Sequence, residues 1–137
     1  MNKYELFYCD GYGAATRGME RDTNYIVKFT AVDDFQAFVK VYLRLYSNTL
    51  DMLNYRDYRD FDLDKRSDYK LCLDAICEAL DVDELSVDMI KEEFDNTDVG
   101  SGTAFIYYIK KDSKIIYEFA DYDSLQFEDD EICIEEM

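Results

Sequence analysis

From Asp33 onward, Phe35, Phe38, Val39, Tyr42, Tyr46, Leu50 and Leu53 recur at spacings of three and four. That period lays them along one stripe of a long amphipathic helix, with Thr30 or Asp33 able to cap its start. A second helix is expected from about Ser67 to Leu80 on Leu73, Ile76 and Leu80. A third is expected from about Ser86 to Asp95 on Val87, Ile90 and Phe94, with Ser86 as its cap. On either side of this helical block the pattern changes. Tyr4 to Cys9 (YELFYC) and Asn24 to Thr30 (NYIVKFT) are short, aromatic and β-branched, and a glycine-bearing segment separates them, as a loop separates two strands. Strands return at Thr103 to Lys110 (TAFIYYIK), after a turn at Lys111-Asp112-Ser113 with Lys114 to Phe119 (KIIYEF), and at Leu125 to Ile134. The order ββαααβββ predicts an α+β fold: a mainly antiparallel sheet of about five strands with about three helices packed on one face.

The 137 residues fit a single domain, 1–137, with an acidic C-terminal end. Apolar residues make up 48%, with 13 Tyr and 9 Phe, enough for a real core despite the high charge. There is no proline, no repeat and no low-complexity linker to divide the chain. Cys9, Cys72, Cys77 and Cys133, with no leader-like N-terminus, fit a reduced cytoplasmic protein with buried thiols. No apolar run approaches the ~18 residues that span a bilayer, so no membrane role is expected.

Motifs for chemistry are sparse. Gly11, Gly13 and Gly18 follow a strand, but the next element is another strand, and a phosphate cradle needs a helix N-terminus there. If the first and third strands are antiparallel neighbours, that loop and the Gly100-Ser101-Gly102 loop meet at one end of the sheet as one contact lip. In NYRDYRDFDLDKRSDY, residues 54–69, aromatics alternate with Arg56, Arg59, Lys65 and Arg66, a pattern that can mark a nucleic-acid surface. Five aspartates cancel that field, which favours an inward-packed turn over a nucleic-acid site. Asp60, Asp62, Asp64 and Asp68 lack the glycine and closing glutamate of a calcium loop. With no His and no CxxC pair, no metal or cofactor is expected, and general acid–base work has little to stand on. Cys9-Asp10 at a strand end is the one nucleophile-like placement, and a non-enzymatic role is the reading favoured.

Charge changes the picture most. The net charge is −17, but it is segregated: residues 71–99 carry ten acids and Lys91, net −9; residues 118–137 carry nine acids and no base, net −9; the remainder is net +1. Asp74, Glu78 and Asp81 fall at i, i+4, i+7, as do Asp88, Glu92 and Asp95, so each set forms a stripe. Like charges at i, i+4 cost a helix a few tenths of a kcal/mol per pair. A solubilising coat would intersperse the signs and a halophile's would spread over the whole surface. Carboxylates every helical turn, about 5.4 Å along the axis, are sparser than phosphates on one DNA strand at ~3.4 Å, but two stripes plus the acidic tail would present a comparable line of charge.

In size, acidity, absence of His and charge segregation the chain resembles the small acidic DNA-mimic inhibitors of phages and mobile elements, the class that includes many anti-CRISPR and antirestriction proteins. That resemblance implies an inhibitor whose carboxylate face enters the basic nucleic-acid-binding cleft of an RNA-guided nuclease or other nuclease and blocks target DNA, without binding nucleic acid itself. Its contact residues would be Asp74, Glu78, Asp81, Asp88, Glu92 and Asp95, the C-terminal run Glu128, Asp129, Asp130 and Glu131, and aromatic anchors among Tyr12, Tyr55 and Tyr58. The alternatives are an immunity protein neutralising a basic toxin nuclease, a non-inhibitory protein-interaction domain, and an enzyme acting on a cationic substrate.

Overall fold

The structure, a computed structural model, describes residues 1–9, 24–47, 50–54, 56–95, 105–118 and 132–137. In chain order the elements are β1 (Asn2–Cys9), β2 (Asn24–Ala31), α1 (Asp34–Tyr46), two 3-10 turns (Asp51–Leu53 and Tyr58–Asp60), α2 (Arg66–Leu80), α3 (Val87–Asp95), β3 (Phe105–Lys111), β4 (Lys114–Glu118) and β5 (Ile132–Glu136). This is the α+β order read from the sequence. Two compact units result, one of Met1–Asp33 with Lys91–Met137 and one of Asp34–Ile90.

The first unit is built on a five-stranded sheet in the order β4-β3-β1-β2-β5. β1 lies at its centre and pairs antiparallel with both β2 and β3, while β5 joins β2 in parallel. One face carries the apolar alternates: Tyr4 stacks on Phe29 and Tyr8 on Tyr25, with Leu6 and Val27 fully buried between them. Tyr117 of β4 meets Phe94 of α3 at 5.5 Å, edge to face. The β3–β4 hairpin closes through Asp112 and Ser113, both left-handed at φ 48° and 69°, the mirror-type turn whose twist suits two strands joined by two residues. A bulge opposite Phe7 and Tyr8 inserts Tyr107, so Tyr107 and Tyr108 both contact the Phe7 ring. Their hydroxyls donate to Asn24 Oδ1 (2.9 Å) and Glu5 Oε2 (2.8 Å), which satisfies both buried phenols.

β1 and β3 are antiparallel neighbours, and Cys9 at the end of β1 faces both Asn24 and Phe105. The glycines of the proposed lip, and Tyr12, lie outside the described residues. So do residues 125–131 of the last expected strand, whose described part is β5.

In the second unit α1 is shorter than its apolar period implied. It ends at Tyr46, and Leu50 and Leu53 are buried instead from the following 3-10 turn. Ser47 supplies the reason: its Oγ accepts the Tyr58 backbone N–H at 2.8 Å, tying the helix end to a residue eleven positions on. A 3-10 turn satisfies a three-residue apolar spacing as well as an α-helix does. Burial along α1 is continuous from Gln36 to Leu43, Lys40 included, rather than confined to a stripe. Lys40 reaches Asp64 at 3.8 Å, which partners a charge otherwise costly to bury. α2 packs on the turn at Asp51–Leu53 through a face holding Cys72, Ala75 and Ile76.

Candidate acidic docking surface

α2 buries Cys72, Ala75 and Ile76, which turns Asp74 and Glu78 outward one helical turn apart, about 6 Å along the axis. α3 buries Ile90 and Phe94, so Asp88 and Glu92 repeat that spacing on its outer side. Its start is fixed as the sequence indicated, with Ser86 Oγ accepting the Met89 N–H at 3.3 Å. Asp83 and Glu84, in the link between the helices, are exposed too. The nine carboxylates from Asp74 to Asp95 are therefore all exposed, and the base among them, Lys91, is half-buried. Asp83 and Glu84 fall between the two helical periods, so residue spacing does not single them out. Their charge was visible, but their place beside the stripes was not.

Two stripe members need correction. Asp81 is not a third helical position: it lies past the end of α2 in the left-handed region, φ 55° and ψ 50°, where its backbone N–H closes the last turn on Cys77 and Glu78. Glycine is the usual occupant there, and a carboxylate opposes the negative end of the helix dipole. Asp95 is exposed yet tied down, since Tyr117 donates its hydroxyl to Asp95 Oδ1 at 2.7 Å. It anchors the end of α3 to β4 and is not a freely offered charge.

Three ion pairs of the second unit lie away from this surface, at Lys40–Asp64, Arg56–Asp60 and Arg59–Asp57. Asp74, Glu78, Asp81, Asp88 and Glu92 form none with another described residue. The field of the acidic surface is felt at Cys77, whose thiol is pushed up by burial and then by Asp74 and Asp83, so helix and link act on one spot. Burial, with a smaller push from Asp68, raises Cys72 to about 11. The buried-thiol expectation holds for Cys72 and fails for Cys133, which is exposed on the edge strand β5.

Of the aromatic anchors, Tyr58 is only 8% exposed. Arg44 donates to its hydroxyl at 2.7 Å, and the guanidinium groups of Arg44 and Arg59 lie over its ring. That is the inward-packed turn, with Arg56 over Phe61 completing it, and it leaves Tyr58 little ring to offer a partner. Tyr55, Glu128, Asp129, Asp130 and Glu131 lie outside the described residues. The four aspartates that resembled a calcium loop are engaged locally: Asp68 accepts the Asp62 N–H, Asp62 accepts the Asp64 N–H, Asp60 pairs with Arg56 and Asp64 with Lys40. Among the described residues no three such side chains converge as metal ligands, and no helix is long and apolar enough to cross a membrane.

The chain matches no protein-family model, and no curated protein or solved structure is significantly similar to it.

Proposed function

We propose that the protein is an acidic inhibitor that docks its carboxylate-rich face into the basic nucleic-acid-binding cleft of a nuclease or defence complex, such as an RNA-guided nuclease, and excludes target DNA. The supporting observation is the run of nine exposed carboxylates between Asp74 and Asp95, among them Asp74, Glu78, Asp88 and Glu92, which form no ion pair with a described residue. Such a surface is drawn toward a positive cleft by long-range attraction, and its carboxylates suit the planar forks of arginines built to grip phosphate. The protein works by occupancy in the cytoplasm, where the partner meets DNA, and performs no chemistry.

An order-of-addition cleavage assay with a guide-loaded nuclease tests this. Inhibitor added before target DNA should suppress cleavage, and inhibitor added after DNA is bound should leave single-turnover cleavage unchanged. Asp88→Lys with Glu92→Lys should weaken the first effect by tenfold or more, on the order of two lost charge pairs. Equal inhibition in both orders would refute occlusion of the DNA site.

A further inference from the structure

β5 is held differently from the other strands of its sheet. Each of β1 to β4 buries at least one side chain, from Leu6 in β1 to Tyr117 in β4, but β5 buries none: Ile134 is 69% exposed, and Cys133 and Glu136 are exposed as well. Its seat is the backbone ladder to β2, which runs in parallel from Asn24–Ile132 to Lys28–Glu136 and is extended by the Met137 N–H on the Lys28 carbonyl at 3.0 Å. A five-residue parallel ladder at a sheet edge is a weak seat. β2 does not depend on it. All eight residues of β2 pair with β1, Val27 and Ala31 are fully buried, and Phe29 stacks on Tyr4.

We propose that β5 is a displaceable strand, and that the edge of β2 beneath it accepts an extended segment of a partner in its place. Releasing β5 uncovers little apolar surface, so release opposes the ladder alone and leaves the rest of the sheet folded. The vacated edge, NYIVKFTA, is rich in β-branched and aromatic residues and presents the backbone groups that β5 had paired, which is a template for strand addition. Register states what the incoming segment carries. On one face Asn24, Ile26 and Lys28 oppose Ile132, Ile134 and Glu136, so the segment is apolar at its first and third positions and acidic at its fifth. Lys28 is exposed, forms no ion pair with a described residue, and attracts an acid at that position. β5 meets this pattern itself and therefore competes with the partner from within the chain. The apparent affinity for the incoming strand is its intrinsic affinity multiplied by the fraction of molecules in which β5 is released.

Native-state hydrogen exchange of the full chain through a urea series, with titration of the peptide ICIEEM (residues 132–137) under reducing conditions followed by amide NMR shifts, tests the proposal. Amides of β5 should exchange at least about a hundredfold faster than those of β1, at rates independent of urea because release exposes little surface. The peptide should shift amides of β2 and leave those of β4 unmoved. Glu136→Lys sets two lysines opposite each other, so it should speed β5 exchange about fivefold, leave β1 exchange unchanged, and tighten peptide binding by the same factor. The two factors agree because both read the released fraction. β5 amides as protected and as urea-dependent as those of β1, a peptide that moves no β2 amide, or peptide binding that fails to follow the release rate would each overturn the proposal. These readouts involve no nuclease and stand apart from the inhibitor reading.

Discussion

Asp81 shows at the scale of one residue what the acidic surface costs. It takes a left-handed backbone that glycine or asparagine accommodates more easily, at a helix end where a negative charge is unfavourable. Asp81→Asn keeps a residue tolerant of that conformation and removes the charge. It should stabilise the fold by about 0.3–1 kcal/mol in urea denaturation while weakening association with a basic partner. No change in stability would mean that the charge is screened there and costs nothing. Cys72 gives a pH-dependent counterpart. Its thiol is raised from 9.0 to about 11 in the folded protein by burial, so the folded state holds the proton longer than the unfolded one. The stabilisation is whole below pH 9 and is lost as pH rises toward 11. Stability should therefore fall more steeply over that interval in the wild type than in Cys72→Ala, whatever the variant loses in packing. Parallel profiles would show that the thiol is not the group responsible.

At the scale of elements, α3 carries the most direct test of charge placement. Asp88 and Glu92 are like charges at i, i+4 on its exposed side, so Glu92→Lys creates a favourable pair and should stabilise the fold by about 0.3–0.5 kcal/mol. The same change should weaken partner binding, and a variant that is both less stable and fully active would argue that the stripe serves folding. Asp95 is left intact in such a test because its bond to Tyr117 holds the helix end. The elements themselves were legible where local period decides them: Ile90 and Phe94 mark the buried side of α3, Ser86 its start, and Asp112-Ser113 the hairpin turn. What stayed hidden depends on residues far apart in the chain. The end of α1 rests on Ser47 meeting Tyr58, the Tyr107 bulge on Phe7 across the sheet, and the parallel seat of β5 on the backbone edge that β2 leaves beside β1. The acidic site was legible as charge, but the roles of Asp81 and Asp95 turned on a dihedral angle and a tyrosine hydroxyl that spacing does not encode.

For the whole molecule, the division of charge is the property from which function is argued. A chain of net charge −17, in which the exposed Arg56 and Arg59 of the aromatic-basic segment are paired with Asp60 and Asp57, should have no measurable affinity for duplex DNA or RNA at physiological salt. Detectable binding in a mobility-shift assay would remove the basis for mimicry. The most direct measurement is the affinity of the protein for a purified guide-loaded nuclease, with and without saturating target duplex, across a salt series. Mutual exclusion is the predicted result: affinity lost in proportion to DNA occupancy, and a salt dependence shallower than that of the duplex, since carboxylates on a folded surface carry no condensed counterion layer to release. Simultaneous binding of protein and DNA to that complex, with neither affinity reduced, would contradict the account.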